Sequence, residues 1–168
     1  MMKKLVFVAA LALLSVIGRA QGIGVYILDF DGDSTNVRNA PKGKVVYKFP
    51  AREGVMIVVD KVVNGWWHIA SDYASAGDVS YELKSSTPSY WIHSSVIAIG
   101  TRNYGGDCLS LRKSPSANSE AVFSFTDERH LRVLDVKGDW VKVRTLDGKH
   151  TGWIEAEWLC GNSLTNCC

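Results

Sequence analysis

Asn36-Val37-Arg38-Asn39-Ala40-Pro41 is answered later in the chain by Ser110-Leu111-Arg112-Lys113-Ser114-Pro115. Each copy runs on through a hydrophobic stretch to a turn ending in tryptophan (Trp66, Trp140). A second tryptophan follows (Trp91, Trp153) before a short apolar end. A duplication on this scale sets the architecture before any residue has a role. Between and around these marks lie β-branched and aromatic runs broken by turn residues, at 24–30, 45–49, 55–63, 66–70, 90–93 and 96–99. The second half repeats the series at 108–111, 121–125, 131–136, 140–144 and 152–154. Alternation in Trp140-Val141-Lys142-Val143-Arg144 is the pattern of a half-buried strand, and beyond residue 20 there is no helical stripe. The expected class is all-β, as two small barrels in tandem.

The chain is 168 residues long and opens with Lys3 and Lys4, an apolar run over 5–17, and Gly18-Arg19-Ala20. That order predicts a cleaved signal peptide over residues 1–20, its apolar run short of the roughly 20 residues of a membrane span. The product is expected to be secreted or periplasmic and not membrane-spanning. Of the 19 Lys and Arg, three (Lys3, Lys4, Arg19) fall in that segment, leaving 16 against 17 Asp and Glu. With no basic cluster in the remainder, nucleic acid is not an expected partner.

The predicted organisation is a first domain over 21–99, a joint over 100–107, a second domain over 108–160 and a cysteine-containing tail over 161–168. The joint, Gly-Thr-Arg-Asn-Tyr-Gly-Gly-Asp, is short, so the domains are expected to touch. The first copy carries an insertion over 71–89, where the second has only the short turn Leu146-Asp147-Gly148-Lys149. Long insertions in minimal domains tend to be functional. Cys108, Cys160, Cys167 and Cys168 form an even set suited to an oxidising compartment. They allow three pairings. Cys108–Cys160 is the preferred disulfide, because the two bracket the second repeat, whose first and last strands should be neighbours.

These features together resemble the bacterial SH3 (SH3b) family, in tandem. The resemblance rests on Ser110-Leu111-Arg112-Lys113-Ser114-Pro115, Gly138-Asp139-Trp140-Val141-Lys142-Val143 and Gly152-Trp153-Ile154 in the second copy. In the first it rests on Asn36 to Pro41 and Trp66-Trp67-His68-Ile69, with a departure at Tyr90, where the family has glycine. The family implies a non-enzymatic module for peptidoglycan, as stem peptide or glycan. The alternative it implies is a protein–protein module that recruits an envelope enzyme or a surface partner.

Arg38 and Arg112 are read as closing their own loops, and the prolines as fixing turns. Trp66, Trp140, Trp91, Trp153 and Trp158 are read as core anchors. Trp67 follows Trp66 directly, and neighbouring strand residues face opposite ways. It either looks outward or lies under the insertion. As an outward residue it forms the expected ligand-binding set with Tyr73, Tyr81 and Tyr90. Asp107-Cys108-Leu109-Ser110 faintly resembles the nucleophile segment of NlpC/P60 cysteine peptidases, but a repeat this small has no room for that fold, so no enzyme activity is expected. Asp29, Asp31 and Asp33 fail the calcium-loop register at Ser34 and Ala40, and His68, His93, His130 and His150 lack zinc spacing. Neither a metal nor a cofactor is expected.

Overall fold

A computed structural model describes residues 22–51, 54–83 and 89–162. The signal-peptide reading falls on residues outside these, as do Cys167 and Cys168 of the tail. The chain is all-β. The first unit contains β1 (Ile23–Ile27), β2 (Ser34–Arg38), β3 (Val45–Pro50), β4 (Met56–Val63) and β5 (Trp66–Ile69), then β6 (Tyr73–Ala76), β7 (Val79–Glu82), β8 (Trp91–His93) and β9 (Ile97–Thr101). The second has β10 (Leu109–Arg112), β11 (Ala121–Phe125), β12 (His130–Lys137), β13 (Trp140–Thr145), β14 (Thr151–Glu155) and β15 (Leu159–Cys160).

The duplication is visible in the pairing. β2 pairs β3 and β8, β4 pairs β5, and β5 pairs β8. In the second unit β10 pairs β11 and β14, β12 pairs β13, and β13 pairs β14. Each long hairpin turns where the sequence permits positive φ. Asn64 and Gly65 (φ 50 and 79) make the turn into β5, and Gly138 (φ 58) makes the turn into β13. Such conformations suit the twist of a tight hairpin and favour Asn and Gly.

β9 belongs to both units. It closes the first against β1, with Tyr26 opposite Ala98 and Ile27 opposite Ile97. It also opens the second, pairing β12 through Gly100–His130 and Ile99–Leu131, and β15 through Thr101–Leu159 and Gly100–Cys160. The joint expected from residue 100 therefore begins inside a strand. Ile97, Ala98 and Ile99 are buried accordingly.

This sharing corrects the disulfide assignment. Cys160 is disulfide-bonded, whereas Cys108 is a free, exposed thiol. First and last strands are indeed neighbours in the second unit, but its first strand is β9. Cys108 precedes β10, which pairs with β11 and β14 and not with β15.

One apolar cluster runs through both units, from Val25, Ile57 and Val59 to Leu131, Val133 and Val143. Trp67 sits in it 1% exposed, and its indole Nε1 donates to the Val133 carbonyl of the second unit at 3.0 Å. Arg132 reaches the other way, donating to the carbonyls of Leu28 and Ile97 at 2.7 and 3.2 Å. Tyr26 and His130 hydrogen-bond across the same seam.

Candidate ligand-binding face

The four aromatic residues expected to bind ligand do not share a surface. Trp67 and Tyr90 are buried. Tyr81 stands edge-on to Phe49 with ring centroids 5.8 Å apart, half-buried against the core. Tyr73 alone is freely exposed, at 65%. The insertion forms the small hairpin β6–β7, attached to β4 through Met56–Ser75. Alternation along β5 holds, but with the opposite phase from that expected. Trp67 and Ile69 point inward, and Trp66 and His68 point outward. The second repeat contains the signal that fixes the phase, since Trp67 aligns with Val141, an aliphatic position that is fully buried.

Four of the tryptophans read as core anchors, Trp66, Trp91, Trp140 and Trp153, stand outside the core cluster on the outer faces, whereas Trp158 packs against the cluster as expected. On the first unit, Trp66 lies opposite His93 and His68 opposite Trp91 across β5 and β8. Trp66 and His93 meet edge-on at 5.0 Å, His68 and Trp91 at 5.3 Å, and the Arg38 guanidinium stands 5.6 Å from the Trp66 ring. His68 Nδ1 is held by Asp60 at 2.8 Å. Burial among these rings pulls the His93 pKa below its ordinary value. The loop-closing roles of the two arginines are as expected: Arg38 donates to the Gly43 carbonyl at 2.7 Å, and Arg112 to that of Ser119 at 2.8 Å.

On the second unit the equivalents of Arg38, Trp66 and His93, namely Arg112, Trp140 and Glu155, line a cleft of about 310 Å³, whose walls also include Asp107, Cys108 and Trp158. β13 and β14 set Trp140 opposite Glu155. The turn after β14, Ala156–Trp158, brings the second indole to the rim. Asp107 and Cys108 are placed by a residue that the sequence reading did not single out. Asn103, 4% exposed, donates from Nδ2 to the carbonyls of Asp107 and Thr126 at 2.7 and 2.9 Å, and its Oδ1 accepts from the Asp107 N–H at 2.9 Å. A buried asparagine with both amide ends occupied holds the loop in one conformation.

A larger space, about 490 Å³, lies at the seam and is bounded by Tyr26, Leu28, Phe30, Ala51 and His130. Its polar groups already satisfy one another: Tyr26 bonds His130, and Asp29 accepts from Thr35. A site that orients a ligand needs convergent polar groups with capacity to spare. The cleft of the second unit has them, because neither Asp107 nor Glu155 takes part in an ion pair among the described residues. The described residues also contain no cluster of His, Cys, Asp and Glu able to hold a metal ion.

Residues 108–159 match the family model of the bacterial SH3 domain, and this segment supplies every named wall residue of the cleft except Asp107. No curated protein sequence matches the chain. Among solved structures, NlpC2 from Trichomonas vaginalis aligns with 12% identity over 83% of this chain and 48% of its own, at a TM-score of 0.32. NlpC1 from the same organism aligns with 11% identity over 84% of this chain and 46% of its own, also at 0.32. The chain thus spans less than half the length of either structure.

Proposed function

We propose that this protein is a non-enzymatic binding protein of the bacterial cell envelope that recognises peptidoglycan, taking stem peptide or glycan into the cleft of the second unit. The observation that carries the reading is the cleft itself. It has two indoles, two carboxylates and a guanidinium around about 310 Å³, all but Asp107 inside the segment that matches a bacterial SH3 domain. Indole faces stack on sugar rings and peptide planes, and a few fixed charges orient what is stacked. A signal peptide over 1–20 would deliver the protein to the compartment where that ligand is found. A hydrolytic role for Cys108 would need a histidine base within hydrogen-bonding reach, and the residues around the cleft include no histidine.

One observation favours protein–protein recognition as the second reading. Among the described strands β3 and β11 end the sheet, each paired on one side only, with Val45, Val46 and Val122 exposed along them. A free edge of this kind can accept a strand from a partner.

Co-sedimentation of the oxidised protein with purified sacculi separates the two. Wall recognition through the cleft predicts that the wild type and Trp66→Ala pellet, while Trp140→Ala stays in the supernatant. Trp140 stands outside the core cluster, so the variant is expected to fold. Failure of the wild type to pellet would refute the wall reading and put the edge strands first.

A further inference from the structure

The two units place different chemistry on the same scaffold, and the difference indicates what the cleft holds. Across the first hairpin Trp66 faces His93, whereas across the second Trp140 faces Glu155. The turn after β8 ends in Val96, and the equivalent turn after β14 ends in Trp158. The second unit has thus gained a carboxylate and an indole at one point of its surface. Asp107, whose backbone is held by Asn103, adds a second carboxylate to the lining. Both carboxylates lack an ion-pair partner among the described residues. The guanidinium on the wall, Arg112, is tethered by its bond to Ser119.

Two indoles and two carboxylates without ion-pair partners among the described residues line one space, a composition suited to a compact cation. Aromatic rings attract a cation over their negative faces, and carboxylates supply hydrogen-bond acceptors and charge. We propose that the cleft of the second unit binds a primary ammonium group of a peptide, between Trp140, Trp158, Glu155 and Asp107, with a peptide carboxylate able to turn toward Arg112. This rests on the reading of the cleft as the binding site and specifies its ligand. The outer face of the first unit, with His93 and Val96 at these positions, would not share the preference.

The test titrates the full oxidised protein with L-lysyl-D-alanine and with its doubly N-acetylated form, following the indole N–H resonances of Trp140 and Trp158. Acetylation removes the charge while keeping most of the shape. The expected result is saturable binding of the free dipeptide, weakened about tenfold or more by acetylation. Glu155→Gln should weaken binding of the free peptide and narrow the difference between the two ligands, since Asp107 and the two indoles remain. Glu155 is half-exposed on an outer strand face, so the variant is expected to fold. Equal binding of both peptides, no saturable binding of either, or unchanged binding by Glu155→Gln would each overturn the proposal. Sacculus binding is scored separately. Sacculi that pellet the protein equally well before and after amine acetylation would leave wall recognition standing and refute the ammonium site. Ammonium-selective peptide binding without pelleting would do the reverse.

Discussion

Replacing Trp67 with phenylalanine should loosen the seam between the units while leaving ligand recognition intact. The indole is 1% exposed and donates to the Val133 carbonyl across the seam at 3.0 Å. Phenylalanine keeps a buried ring but removes the donor, leaving a carbonyl in an apolar surround, at a cost of about 1–3 kcal/mol. The smaller ring also opens a gap, and a partial cavity of this kind adds roughly 1 kcal/mol, a fraction of the 3–5 typical of truncation to alanine. The expected loss is about 3 kcal/mol, or roughly 6–12 °C in Tm for a chain of this size. Urea unfolding followed by tryptophan fluorescence and by circular dichroism measures it. Because β9 is shared by both units, wild type and variant should each unfold in a single transition reported alike by both probes. Trp67→Phe should still bind sacculi as the wild type does. A loss under about 1 kcal/mol, two separate transitions in the wild type, or loss of binding in a folded variant would refute the reasoning.

Gly161→Ala should destabilise by about 1–3 kcal/mol in thermal melts, because the added Cβ would meet the Gly24 carbonyl oxygen at 2.2 Å, and backbone cannot swing aside as a side chain can. Alkylation followed by mass spectrometry should label Cys108 without reductant and Cys160 only after reduction. Burial raises the Tyr26 pKa to about 12, against a weaker opposing pull from Arg132. Since the folded value lies above the unfolded 10.0, the contribution of this tyrosine is complete below pH 10 and is lost as pH rises toward 12. Melting temperatures should therefore fall over that window in the wild type, and Tyr26→Phe should remove this part of the fall.

Much of the fold is legible in the sequence, because period-two patterning and turn chemistry are local. The strand at Trp140 to Thr145 and the Asn64-Gly65 turn follow directly from neighbouring residues. What is not legible depends on partners distant in the chain. Trp66-Trp67 is symmetric in hydrophobicity, so alternation cannot say which ring faces in. The comparison with Trp140-Val141 resolves it, and with it the outward placing of Trp66, Trp91, Trp140 and Trp153. The double use of β9 has no local signature, since Ile97 to Thr101 reads like any closing strand. Missing it misplaces the first strand of the second unit, and the cysteine pairing with it. Asn103 looks like an ordinary turn residue until its burial and three hydrogen bonds are seen. The cleft itself is assembled from Asp107, Arg112, Trp140, Glu155 and Trp158, which come from separate stretches of the chain, and no local pattern brings those stretches together.

The most direct test of ligand recognition by the second unit is a two-dimensional indole N–H correlation spectrum, recorded during titration with soluble peptidoglycan fragments. The six tryptophans serve as reporters distributed over both units. The account predicts that Trp140 and Trp158 shift together and saturate, while Trp67 at the seam and Trp66 on the first unit stay in place. Shifts centred on Trp66 and Trp91, or none at any indole, would contradict it.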